Sequence, residues 1–312
     1  MNFNNRLTAI ITGTAIATTI TVVQPLKSIA FDGQKLSETT REITVLVQSS
    51  NGQNGSGVII SRDDNVYYVL TANHVTNKRE DQNGTIQYNV VTHDKQAYEI
   101  DYSTVKPVTN SLDLAIFEFV SDEDYPVATI SDTKLVETTP VFVSGWQRPG
   151  TVNSNAATRQ LTSSRITTVL AEPVYGGYQI GYDNTTLGGM SGGPVVDVEG
   201  RLVGIHGLAD NDKPETLGLQ SGANTATLST GFNYGIPIST FLEQSSQAGI
   251  DVSLDIEDSP PEELSEAPVV ATDPEKDRIE NLNSIVENAG KVRATLEEGK
   301  NEVDKIRGVF GL

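Results

Sequence analysis

Gly188-Gly189-Met190-Ser191-Gly192-Gly193-Pro194 is the stretch on which the reading of this chain turns. It sets one serine among four glycines. Glycine accepts positive φ and has no Cβ, so such a run can turn sharply and bring its N–H groups close to a bound carbonyl. A serine held there is a candidate nucleophile. An oxyanion forming at an attacked carbonyl needs preorganised donors, and the N–H groups of Gly189 and Ser191 are the natural pair. The flanks are strand-like: Tyr178 to Tyr182 leads in, Val195 to Val198 leads out, and Glu199-Gly200 turns the chain back into Leu202 to His206. On its own the motif is also compatible with a glycine-rich turn carrying an incidental serine.

A serine hydroxyl needs a base within hydrogen-bond reach, and that base needs a group to orient it. The chain has three histidines. His93, in the polar run Val91-Thr92-His93-Asp94-Lys95, reads as solvated. His74 follows Tyr68-Val69-Leu70-Thr71-Ala72-Asn73, where an apolar strand ends in a loop and a side chain can face a cleft, although a capping or core histidine fits there too. Asp113 heads the apolar run Leu114 to Phe119. An acid there is costly without a partner, and an imidazole N–H would serve; a turn aspartate is the alternative.

Thr71-Ala72-Asn73-His74-Val75, Asp113-Leu114-Ala115-Ile116 and Gly188 to Val195, in the order His, Asp, Ser, resemble the three signature blocks of chymotrypsin-like serine proteases over about residues 40–245. Their separations of 39 and 78 residues are similar to those of bacterial glutamyl endopeptidases. The resemblance implies an all-β fold of two six-stranded antiparallel Greek-key barrels with the site between them. His74 and Asp113 would come from the first barrel, and Ser191 with the oxyanion donors Gly189 and Ser191 from the second. It also implies that Thr186 and His206 line a pocket for a substrate Glu, then Asp, with an imidazolium and a hydroxyl holding the carboxylate. The pocket's other reading has His206 filling a wall and small or apolar residues preferred. Trypsin-like zymogens carry an aspartate just before the serine to receive a freed N-terminus; Met190 stands there, so that switch cannot operate.

Independent of the resemblance, short β-branched segments broken by Gly, Asn, Asp and Pro run from about Leu36 to Ile250, a density that argues an all-β barrel or sandwich. A helix is expected over Ile238 to Gln247 behind Pro237. The 312 residues hold 41 acids, 22 bases and no cysteine, which excludes disulfides and thiol chemistry. Residues 1–30 read as a secretory leader: Arg6, then 17 uncharged residues from Leu7 to Val23, then the small-residue site Ser28-Ile29-Ala30. A secreted or periplasmic location follows, with a membrane anchor as the other reading. Removing the leader leaves 20 bases against 41 acids, a net −21, which disfavours nucleic acid and anionic membranes as partners.

The expected organisation is a protease domain over 31–250, its first barrel at about 38–130 and its second at about 131–245. An acidic linker with Pro260, Pro261, Pro268 and Pro274 follows over 251–274, then an amphipathic helical tail over 275–312. Arg293, Lys300 and Arg307 interrupt the tail's stripe, which suits an exposed or self-associating helix. On this reading, truncation after Ile250 leaves folding and activity nearly unchanged. Asp210-Asn211-Asp212 offers too few oxygens to specify calcium and reads as a turn; no metal or cofactor is expected. Polypeptides are the expected partners, as substrates. The other function class is a double-barrel binding or scaffold protein without useful turnover that uses its acidic tail for interaction.

Overall fold

The computed structural model describes residues 32–77, 80–81, 84–148, 156–174, 176–209, 231–260 and 273–295. The expected leader, the Asp210 to Asp212 turn, Pro261, Pro268, Lys300 and Arg307 lie outside these residues. The chain enters through helix α1 (Gly33–Ile43), whose Asp32 side chain accepts the Lys35 N–H as an N-cap. Seven strands then form one antiparallel sheet: β1 (Thr44–Ser49), β2 (Asn54–Asp63), β3 (Val66–Thr71), β4 (Tyr88–Val91), β5 (Ala97–Ile100), β6 (Lys106–Pro107) and β7 (Ala115–Val120), in spatial order β5-β4-β1-β2-β3-β7-β6. Val45, Val47, Ile59, Tyr67, Val69, Val90, Phe117 and Phe119 pack inside its curl. Helix α2 (Asn73–Thr76) follows β3.

The second half is built from β8 (Thr129–Ser131), β9 (Pro140–Gln147), β10 (Ala157–Val174), β11 (Tyr178–Tyr182), β12 (Pro194–Val196), β13 (Leu202–Leu208) and β14 (Asn233–Pro237), with helix α3 (Ile238–Ser245) behind them. The order β12-β9-β10-β11-β14-β13 closes on itself because β12 also pairs with β13, so this barrel has the expected six strands. The first sheet is the less complete half of the expected double-barrel fold. It remains a half-barrel between β5 and β6, and β6 is two residues long and ends in Pro107, which has no N–H to extend a ladder. A second apolar cluster lies where the halves meet, joining Val58, Leu70 and Ile116 from the first to Tyr178, Ile205 and Tyr234 from the second.

The C-terminal segment does not hang free. Strand β15 (Asp255–Glu257) pairs in parallel with β8, and β16 (Arg278–Ile279) pairs with β10. Residues 282–295 are helical, and Ile279 and Leu282 are buried with Leu46, Val91 and Trp146. Asp277 is buried between two arginines, accepting from Arg41 Nε at 2.8 Å and Arg159 Nε at 2.7 Å. The expectation that the protease folds indifferently to everything after Ile250 is therefore corrected, since 255–257 are paired into its sheet and Asp277, Ile279 and Leu282 are buried against it. No helix among the described residues is long and apolar enough to cross a membrane.

Candidate active site

The β3–β7 register aligns Thr71 with Ala115, which brings the residues after β3 alongside those before β7. The Asn73 N–H donates to the Asp113 carbonyl at 3.1 Å and the His74 N–H to Asp113 Oδ1 at 2.8 Å. His74 Nδ1 lies 2.6 Å from Asp113 Oδ2. The carboxyl group is 0% exposed and the imidazole 8%. An ionised carboxylate only accepts, so Nδ1 carries the shared hydrogen and Nε2 is left with its lone pair, the tautomer a general base needs. Asp113 is also gripped from the second half: its N–H donates to Gly176 O at 2.7 Å, and the Tyr178 hydroxyl donates to Oδ2 at 2.6 Å.

The serine loop is pinned to the same edge of the first half. Ser56 on β2 donates its N–H to Ser191 O and its hydroxyl to Gly189 O, each at 2.8 Å, while its Oγ accepts the Trp146 N–H. The Gly192 N–H donates to His206 O at 2.7 Å. Glycine is required at two positions. Gly189 has φ +103° and its Cβ would lie 2.6 Å from Trp146 O; Gly192 has φ +87° and its Cβ would lie 2.1 Å from Ser56 O. Gly188 O accepts the Arg148 N–H at 2.8 Å. The N–H groups of Gly189 and Ser191 have no acceptor among the described residues, the state an oxyanion site requires. Met190 is buried, its sulfur accepting the Leu187 N–H at 3.4 Å, so this thioether occupies the position of the zymogen aspartate. The Ser191 hydroxyl donates to Gly207 O at 3.2 Å rather than to the imidazole.

The proposed pocket residues differ in state. Thr186 Oγ1 is buried and has no hydrogen-bond partner among the described residues. His206 is buried, with Nδ1 2.8 Å from the Tyr182 hydroxyl. Burial first, and the nearby His74 charge second, push its pKa down to about 3 against a hydrogen bond to the Tyr234 backbone. The imidazolium expected at His206 is therefore corrected to a neutral ring. His93, expected in solvent, is half-buried with its ring edge-on to Tyr125 at 5.8 Å. Ser56 and Tyr178 were not singled out from the sequence. Gly55 and Gly57 around Ser56 hinted at a close backbone approach, whereas Tyr178 reads as an ordinary strand residue.

The trypsin-like peptidase domain family matches residues 55–205, a span that includes His74, Asp113 and Ser191 and stops one residue short of His206. Glutamyl endopeptidases of Staphylococcus epidermidis, among them those of strains ATCC 12228 and RP62A, are 27% identical to this chain over 175 aligned residues, covering 50% of this chain and 55% of the relative. The chain thus spans about half the length of the curated relatives it matches.

Proposed function

We propose, from the premise that the chain belongs to the trypsin-like serine protease family, that it is a secreted endopeptidase acting through an acyl-enzyme on Ser191 and cleaving after Glu, then Asp. The observation that carries the catalytic reading is the buried Asp113 carboxylate holding His74 Nδ1 at 2.6 Å, beside a glycine loop whose Gly189 and Ser191 N–H groups lack acceptors among the described residues. In the reaction the Ser191 hydroxyl turns from Gly207 O to His74 Nε2, which takes its proton as Oγ attacks the scissile carbonyl. The Gly189 and Ser191 N–H groups hold the oxyanion, a contribution of about 3–4 kcal/mol per donor in such sites. Nε2 then protonates the leaving amine, Asp113 keeps the imidazolium oriented, and water repeats the cycle on the ester.

The acidic preference is supported by the name of the curated relatives, by Thr186 Oγ1 lying buried without a partner among the described residues, and by His206 standing 15 residues after Ser191. Because His206 is neutral, the substrate carboxylate would be held by uncharged donors. With Tyr182 donating to Nδ1, the other ring nitrogen carries the hydrogen, and it would exchange the Tyr234 backbone for the carboxylate. Secretion rests on the leader-like composition of residues 1–30. Labelling by a fluorophosphonate probe tests the catalytic reading: it is expected for the natural protein and not for Ser191→Ala. No labelling of the natural protein leaves the scaffold reading standing instead.

A further inference from the structure

We infer that Tyr178 is a positioning residue of the catalytic pair, its hydroxyl setting the charge and orientation of the Asp113 carboxylate, with Gly207 kept free of a Cβ to admit it. The inference rests on the protease reading and deepens it. Tyr178 is fully buried at the start of β11, and its hydroxyl donates at 2.6 Å to Oδ2, the same oxygen that holds His74 Nδ1. Hydrogen bonds to an ionised group are short and about twice as strong as neutral ones. A Cβ on Gly207 would lie 1.9 Å from the Tyr178 hydroxyl oxygen and 2.7 Å from Cζ, so any side chain at 207 would displace the hydroxyl from Asp113. Gly207 also supplies the carbonyl on which the Ser191 hydroxyl rests. The peptide that parks the nucleophile and the gap that admits Tyr178 therefore belong to one residue.

The β10–β11 connection holds the tyrosine in place. Gly177 has φ +99°, and a Cβ there would lie 2.6 Å from Leu112 Cδ2, one residue before Asp113. Gly176 O meanwhile accepts the Asp113 N–H at 2.7 Å. The second half thus takes hold of Asp113 by backbone and side chain together. The groups facing the His74–Asp113 pair are the Tyr178 hydroxyl, the His74 N–H and His206, and the last is neutral above about pH 3.

A donor on Oδ2 withdraws charge from the carboxylate. Without it the pair binds its proton more tightly, so the acid limb of activity moves to higher pH. The test is Tyr178→Phe, which removes one oxygen and keeps the ring, and Gly207→Ala, which displaces the hydroxyl and keeps it. His74 is titrated by NMR in both, within Ser191→Ala protein that cannot turn over. A rise of about one pH unit is expected in each. In protein with Ser191 restored, Tyr178→Phe is expected to lower kcat by about ten- to a hundredfold, to leave KM within about twofold, and to move the acid limb of kcat/KM by the same amount. An unchanged His74 titration in folded Tyr178→Phe protein overturns the inference; should that variant not fold, the titration of Gly207→Ala decides. Because the titration needs no turnover, it stands apart from the protease reading, which falls instead if the natural protein hydrolyses no peptide.

Discussion

Asp277→Ala is expected to destabilise the protein by about 3–5 kcal/mol, the cost of leaving a buried charge unpaired. Asp277 is the only acid paired with both Arg41 and Arg159 among the described ion pairs, and the three side chains are 6%, 5% and 1% exposed, so solvent screening offers little relief. Burial opposes ionisation of Asp277, but the Arg41 hydrogen bond and the Arg159 charge outweigh it and hold its pKa below 3.8. The stabilisation is therefore present above about pH 4 and is lost as pH falls through the depressed folded value, where variant and natural protein should converge. The single tryptophan, Trp146, is buried against Ile279 and Leu282 and reports the docking directly. Its fluorescence in thermal and urea unfolding at neutral pH should show a midpoint lower by about 10 °C. A midpoint shift corresponding to less than about 1 kcal/mol, with unchanged Trp146 emission, would refute the claim that the tail is part of the fold. Truncation after Ile250 removes β15, Asp277 and both buried apolar anchors, and should cost folded protein outright.

Three further outcomes are expected. Ser191→Ala, His74→Ala and Asp113→Asn should each remove most turnover without adding when combined, because the three act as one unit; near-normal kinetics in Asp113→Asn would break the assignment. Gly189→Ala should lower kcat by about a hundredfold or more, since a Cβ at φ +103° and 2.6 Å from Trp146 O must distort the donor loop, and single-turnover acylation reads this directly. Matched substrates with Glu or Gln before the scissile bond should favour Glu at neutral pH; equal rates would remove the acidic preference.

The candidate site was legible because its members stand where patterns change: His74 and Asp113 at the ends of apolar strands, and Ser191 inside a glycine run whose backbone need is written in its composition. The second barrel was legible for the same reason, its strands being bounded by turn residues such as Gly200, with φ +82°. Tyr178 was not, since it alternates like any strand residue and meets Asp113 only through the register of a hairpin from the opposite half. The protonation state of His206 was equally hidden, because a sequence gives the residue type and not its desolvation. The tail misled most. Asp277 sits in a run that includes Asp273, Glu275 and Lys276, indistinguishable from a solvated segment, and its burial depends on Arg41 and Arg159, 236 and 118 residues away.

The chain has no cysteine, so the precision of the site must come from hydrogen bonds that cross between the halves. Ser56 of the first half fixes Ser191 and Gly189 of the second, and Gly176 and Tyr178 of the second fix Asp113 of the first. Each half completes what the other carries. Separation of the halves would therefore release Ser191 and Asp113 together, and the apolar cluster of Leu70, Ile116, Tyr178, Ile205 and Tyr234 opposes that separation alongside the one that packs Leu46 and Val91 against Trp146. Tyr178 belongs to that cluster through its ring and to the site through its hydroxyl. One side chain thus ties the packing of the interface to the charge at Asp113, so loosening of the interface should register at the His74–Asp113 pair before either half unfolds.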